Sequence, residues 1–152
     1  MAAELDSLVG SGLLKREPPS DAELRQFIAH ARHALADAAL PGISPSGRFD
    51  LAYNAAHALS LAALRANGYR PGDGRGHRAI VFQSLVHTLD APETLASTLN
   101  RYHTRRNRSE YASYEPATDA EARDLLALAT RTRELLVAWL RRHRPQMSLA
   151  RD

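Results

Sequence analysis

The residues best suited to chemistry lie in RYHTRRNRSEYASY, Arg101 to Tyr114, late in a helix whose pattern starts at Pro92. On a wheel of about 100° per residue, Leu95, Leu99, Tyr102 and Glu110 fall within about 40° of Arg106, and His103 lies close by. A stripe that should face the core therefore turns polar at Arg106. A guanidinium withdrawn from water is costly unless a carboxylate, a nucleotide or solvent meets it. Either Glu110, four residues on, pairs with Arg106, or Arg106, Asn107 and Tyr111 line a ligand cleft. Arg101, Arg105 and Arg108 project from the flank away from the stripe, whereas Asn107, His103 and Tyr114 lie to its other side. Such a basic ridge beside a polar, partly aromatic corner suits a phosphate backbone along the arginines and a base stacked on Tyr111 or Tyr114. The same pattern also describes a solvated arginine face with tyrosines plugging a loop.

The elements that would position this segment read as helices. Glu4 to Leu14 forms at most one or two turns, interrupted by Gly10 and Gly12 and stopped by Pro18-Pro19, and residues 1–19 are expected to be an arm packed on the body or on a partner. Ser20 with Glu23 forms a capping box before Leu24, Phe27, Ile28, Ala31, Leu35 and Ala38 at helical spacing. A second long helix runs from Ser46 to Ala66, stopped by Asn67-Gly68. Apolar on nearly every face, it should be central, packed against two neighbours or against one neighbour and a second subunit. A shorter helix covers Arg78 to Leu89, with Val81, Phe82, Leu85 and Leu89 inward. Asp90 with Glu93 then caps the helix carrying the opening motif. Thr118 with Glu121 caps the last, which buries Leu125, Leu126, Ala129, Leu136, Trp139 and Leu140. No alternating strand pattern is present. The fold class is all-α: a four-helix up-and-down bundle over residues 20–144 with an additional short helix, an N-terminal arm and a flexible tail, residues 145–152.

A chain of 152 residues with 44% hydrophobic content accommodates one domain with a real core. The absence of cysteine excludes thiol catalysis, cysteine-ligated zinc and disulfides. No basic leader precedes an apolar run and no apolar stretch nears membrane-spanning length, so a soluble cytoplasmic protein without membrane contact is expected. The net charge is +3, and the basic residues are Lys15 and 19 arginines. Arginine forks match phosphate and carboxylate, although a GC-rich coding bias yields the same composition, so clustering counts for more than the total.

Other chemistries find little footing. His30 and His33 lie three apart on one helix but lack a carboxylate at a matching offset, and no metal site or cofactor is expected. The glycines of YRPGDGRGH, Tyr69 to His77, follow no strand and carry neither a dinucleotide fingerprint nor a Walker lysine. His57, within the central helix, is a buried imidazole whose two nitrogens need partners. Arg141, Arg142, His143 and Arg144 in a last turn complement the helix dipole.

With RFDLAYNAAHALSLAALRANGYRP, then GH before a short helix, then RRNRSEY late in the next, the chain resembles the HEPN superfamily (higher eukaryotes and prokaryotes nucleotide-binding domains) over roughly Ser20 to Trp139. The resemblance implies a helical bundle, a homodimer, and RNA or nucleotide as ligand, in a toxin–antitoxin or defence setting beside a nucleotidyltransferase partner. The family signature is an arginine, commonly followed by asparagine or another polar residue, then a histidine after four to six positions. Here the arginine is Arg106 and the polar residue Asn107, while Tyr111 occupies the histidine position. A histidine titrates near neutrality and can exchange a proton with a 2′-hydroxyl, whereas tyrosine stays protonated. The expectation is thus an RNA- or nucleotide-binding module using Arg101, Arg105, Arg106, Arg108 and Tyr114. The alternatives are a metal-independent ribonuclease in which Arg106 and Asn107 act with His103 or Tyr111, and a helical protein that binds only other proteins.

Overall fold

The computed structural model describes residues 2–73, 77–111 and 116–147, with the side chains of 2, 77, 78 and 108–111 excepted. In chain order the elements are α1 (Ala2–Gly10), β1 (Leu14–Arg16), α2 (Asp21–Ala38), α3 (Pro45–Ala66), β2 (Tyr69–Pro71), α4 (His77–Gln83), α5 (Leu85–Thr88), α6 (Glu93–Tyr111) and α7 (Asp119–His143). The class is mostly helical, as the periodicity predicts. No helix of the described residues is long and apolar enough to cross a membrane.

Helix α3 lies between α2 and α7 and also touches α4, α5 and α6. Its alanines 52, 55, 56, 62 and 63 are all fully buried, and side chains this small let neighbours approach on several sides. The ends of the helices are matched by charge. Arg48, at the start of α3, donates from Nε to the Ala38 carbonyl (2.7 Å) and from Nη2 to the Leu40 carbonyl (3.0 Å), closing the end of α2. Its Nη1 lies 3.7 Å from Asp119 at the start of α7. Arg144, beyond the end of α7, meets Asp21 at the start of α2 at 2.6 Å. These pairings make α2 antiparallel to both α3 and α7. Helix α6 packs chiefly on α4 and more lightly on α3, α5 and α7.

Several boundaries differ from the sequence expectation for local reasons. Helix α3 starts earlier, because Ser44 accepts from the Gly47 N–H (3.0 Å) and Pro45 occupies the first turn. The short helix breaks at Ser84, whose hydroxyl bonds back to the Val81 carbonyl (2.8 Å). Asp90 takes a left-handed conformation (φ 54°) that closes α5 instead of capping α6, and the Pro92 carbonyl accepts the first bonds of α6 from Leu95 and Ala96. The Thr118–Glu121 capping box forms in full. At Ser20 only half forms, because the Glu23 carboxylate is drawn to Arg65. Past α7, Met147 is buried in the main core, so packed chain extends beyond Pro145.

The arm departs most from expectation. It holds a full helix, and β1 pairs antiparallel with β2, Lys15 opposite Arg70. Three-residue strands are too short to show an alternating pattern. Gly72 approaches this ribbon so closely that a Cβ there would lie 2.2 Å from the Gly12 carbonyl oxygen, which explains one glycine of the YRPGDGRGH loop; Gly74 and Gly76 lie outside the described residues. Leu5, Leu14, Leu64 and Tyr69 form a second small core, with Leu8, Val9 and Ile80 against it. Asp6 accepts from the Tyr69 hydroxyl (2.6 Å) and from Arg16 (2.8 Å), and these bonds hold its carboxyl below the usual carboxylate range. Helix α3 is thus covered within one chain, and Leu40 is the exposed large hydrophobic among the described residues. The apolar character of α3 is therefore no reason to invoke a second subunit.

Arg65 is buried at the other end of α3, with 4% of its side chain exposed. Its Nε meets Glu23 at 2.8 Å, its Nη2 meets Glu17 at 3.0 Å and the Pro18 carbonyl at 2.9 Å, and its Nη1 donates to the carbonyls of Glu17 (3.1 Å) and Tyr69 (3.0 Å). In Arg65→Met both carboxylates, more than a third exposed, can turn to water, so the penalty falls on the orphaned carbonyls. We expect a loss of about 3 kcal/mol in urea unfolding. Arg131→Ala, which removes an exposed pair with Glu134 (3.6 Å), should change stability by less than about 0.5 kcal/mol.

Candidate functional site

The C-terminal half of α6 meets the N-terminal half of α3 and the first turns of α7. From α3, Phe49 and Tyr53 point toward α6. Phe49 meets Tyr102 edge-on, ring centroids 5.7 Å apart, and Tyr53 meets Phe82 of α4 at 5.9 Å. This aromatic floor continues the buried stripe of Leu95, Leu99 and Tyr102.

Above it the polar side chains gather on Tyr53, which is only 2% exposed. The Tyr53 hydroxyl lies 2.7 Å from His103 Nδ1, and Asn107 Nδ2 lies 3.3 Å from His103 Nε2. The Arg106 guanidinium sits over the Tyr53 ring, 4.5 Å from its centroid. His57, one turn after Tyr53, lies with its ring near-parallel to the tyrosine's (14°) and edge-on to Phe82 at 6.0 Å. It is half-buried, not the fully buried imidazole expected from sequence.

Of the candidates named from sequence, the structure brings His103, Arg106 and Asn107 together around Tyr53. Arg105 turns elsewhere. It pairs with Glu121 at 2.6 Å, donates to the Pro116 carbonyl (3.0 Å) and lies 5.8 Å from the Phe49 ring centroid. The flank expected to be open is thus occupied by the start of α7, and Arg105 fastens the two helices. Arg101 is exposed, its guanidinium 5.4 Å from the Tyr102 ring centroid. The side chains of Arg108, Glu110 and Tyr111, and all of Tyr114, lie outside the described residues. The predicted Arg106–Glu110 pair is among the features that fall there.

Sequence reading missed Tyr53 as a site residue. The available signal was a phenol within an alanine-rich buried helix, since a buried Tyr hydroxyl requires a polar partner. Tyr102 obeys the same rule: it donates to Asp124 at 2.5 Å, and burial, then that bond, raises its ionisation above the usual phenol range. His30 and His33 are exposed on α2, and no group of three or more potential ligands among the described residues could hold a metal ion.

The chain matches no known family model, no curated protein and no solved structure.

The bond from Arg105, followed by the Thr118 contacts, holds the Glu121 carboxyl below the usual glutamate range, against the opposing effect of burial. A depressed carboxylate stabilises the fold above the ordinary glutamate range, and that contribution fades as pH falls through the lower folded value. Arg105→Ala should therefore cost about 1 kcal/mol at neutral pH. Urea midpoints of the variant and wild type, compared across an acid series, should converge below the ordinary glutamate range.

Proposed function

We propose that the α6 end of the molecule is an RNA- or nucleotide-binding site of HEPN type, acting as a module without strong catalysis. The observation that carries this reading is Arg106. A half-buried guanidinium rests on the Tyr53 ring beside Asn107, on a helix that also bears Arg101 and Arg108. Arginine held over an aromatic face retains its charge and its planar fork, which suits a phosphate. The Tyr53 ring is one contact that Arg106 makes within its core-facing stripe. Arg105, engaged with Glu121, is a weaker candidate for phosphate than the sequence reading made it.

The binding reading is favoured over cleavage by the setting of His103. Its two ring nitrogens lie at hydrogen-bond distance from Tyr53 and Asn107, and the residue is buried. A general base must reach the proton it removes, and these contacts occupy the atoms that would do so. Tyr111, in the position of the family's histidine, is a poor base near neutrality.

The test uses purified chain and a fluorescein-labelled single-stranded RNA in metal-free buffer. Arg106→Ala should weaken binding about tenfold and lower the slope of log affinity against log salt by about one. RNA cleavage that disappears in the same variant would make the protein a metal-independent ribonuclease instead. Equal affinity of the variant and wild type would remove the site.

A nucleotidyltransferase as protein partner and a homodimer with two α6 ends bordering one cleft belong to the same proposal, and both rest on the family resemblance. Light scattering at micromolar concentration should give twice the 16.7 kDa chain mass. A mass of one chain, unchanged on dilution, would leave each site to act alone.

A further inference from the structure

The buried polar groups of the molecule are not equally served. In the frame of α2, α3 and α7, Arg48 closes the end of α2, Arg65 meets carboxylates and carbonyls, and Thr132, fully buried in α7, donates to the Leu128 carbonyl (2.8 Å). The buried side-chain oxygens without a hydrogen-bond partner among the described residues are Ser60 Oγ, Thr88 Oγ1 and Asn100 Oδ1. All of them belong to one seam. Thr88 ends α5, and Asn100 of α6 faces α4, since its Nδ2 lies 3.3 Å from Gln83 Oε1. Ser60 follows Tyr53 by about two helical turns, and so lies on the side of α3 that meets Phe82 of α4. A buried oxygen with no partner forgoes the bonds that water gives it in an opened state, so each of these groups favours opening of the seam over closure.

The backbone of the same segment points the same way. Helices α4 and α5 span 7 and 4 residues, lengths with little stability of their own. Asp90, between α5 and α6, holds a left-handed conformation that is uncommon for a residue with a Cβ. Each of α4, α5 and α6 packs on α3 far less extensively than α2 and α7 do. Phe82, Leu85, Leu95 and Leu99 nevertheless reach the main core, and they keep the segment closed in the resting molecule.

We propose that α4, α5 and α6 open as one cooperative unit while α2, α3 and α7 stay folded, and that this opening gates the α6 site. Arg106 and Asn107 travel with the segment, whereas the Tyr53 ring beneath Arg106 stays on α3. The constellation exists only when the segment is closed, so a ligand held by it draws the equilibrium toward closure. The gating part of this inference rests on the binding reading above; the opening part does not.

The experiment follows backbone hydrogen exchange of the full chain at neutral pH, comparing α6 amides such as Leu95, Leu99 and Tyr102 with frame amides such as Ala62, Ala129 and Leu136. The α6 amides should exchange faster than those of the frame. Ala127→Gly, at an exposed position of α7, weakens the frame alone; it should speed exchange of the frame about fivefold and leave the α6 amides unchanged. Equal acceleration of both sets means that the chain unfolds only as a whole, and overturns the proposal. Ser60→Ala and Thr88→Val, which delete orphaned oxygens, should each slow exchange of the α6 amides about tenfold. Unchanged or faster exchange in both variants means that the hydroxyls are satisfied in the closed state, and also overturns it. Labelled RNA at about a hundred times its dissociation constant should slow the α6 amides of wild type about a hundredfold. RNA that binds without slowing them removes the gating. Failure of the RNA to bind ends the binding reading and the gating with it, while the variants still decide whether the segment opens.

Discussion

One buried guanidinium joins the two parts of the molecule. Arg65 reaches the Glu17-Pro18 junction, Glu23 of α2 and the Tyr69 carbonyl of the ribbon, and it thereby joins the arm and the start of α2 to the end of α3, more than forty residues further along the chain. A charge in so dry a position is tolerable only because all of these partners arrive together. The arm, the start of α2 and the end of α3 are thereby held in one register, and the small core around Leu5, Leu14 and Leu64 closes over the same end. Arg48 has the corresponding place at the other end of α3, against the last carbonyls of α2. With both ends fixed, the rotation of α3 about its axis is set. That rotation is what points Tyr53 at α6.

The arginine richness of the chain takes on a different meaning in this light. A composition that reads as a general affinity for phosphate is partly engaged in ion pairs within the chain, some buried and some at the surface. Arg16, Arg48, Arg65, Arg70, Arg105, Arg123, Arg131 and Arg144 each lie within ion-pair distance of a carboxylate. Arginine serves here as a fastener, because its fork can bridge a carboxylate and a carbonyl at once. Arg141 and Arg142 remain exposed in the last turn of α7, where they oppose the negative end of its dipole.

Helical spacing made the long elements legible. Leu24, Ile28 and Ala31, or Leu125, Ala129 and Leu136, are buried because they recur on one face, and that recurrence is visible without coordinates. The central place of α3 was legible for the same reason. The ribbon was not, since its pairing depends on Gly12 and Gly72 meeting across about sixty residues of chain, and neither three-residue strand carries a period of its own. Within the site, the wheel placed Arg106 correctly at the edge of the core-facing stripe. It could not show that an aromatic ring from α3 lies beneath, or that the start of α7 covers Arg105, because both depend on how helices meet and not on how one helix repeats. Of the motif residues, Arg106 and Asn107 lie in the cluster around Tyr53, the Tyr111 side chain falls outside the described residues, and packing brings in His103 and Tyr53.

The single tryptophan of the chain stands far from this constellation. Trp139 stacks with His143 at 4.3 Å and an interplanar angle of 18°, near the end of a 25-residue helix whose beginning, beside the α6 end, lies about 30 Å away. An indole's emission answers to the ring stacked on it. The protein's intrinsic fluorescence is therefore an optical gauge of how the last turn of α7 is seated near Asp21. It should be nearly blind to events at Arg106, so a dye or a labelled ligand must report occupancy there, while the native signal records independently whether the opposite end of the bundle remains closed.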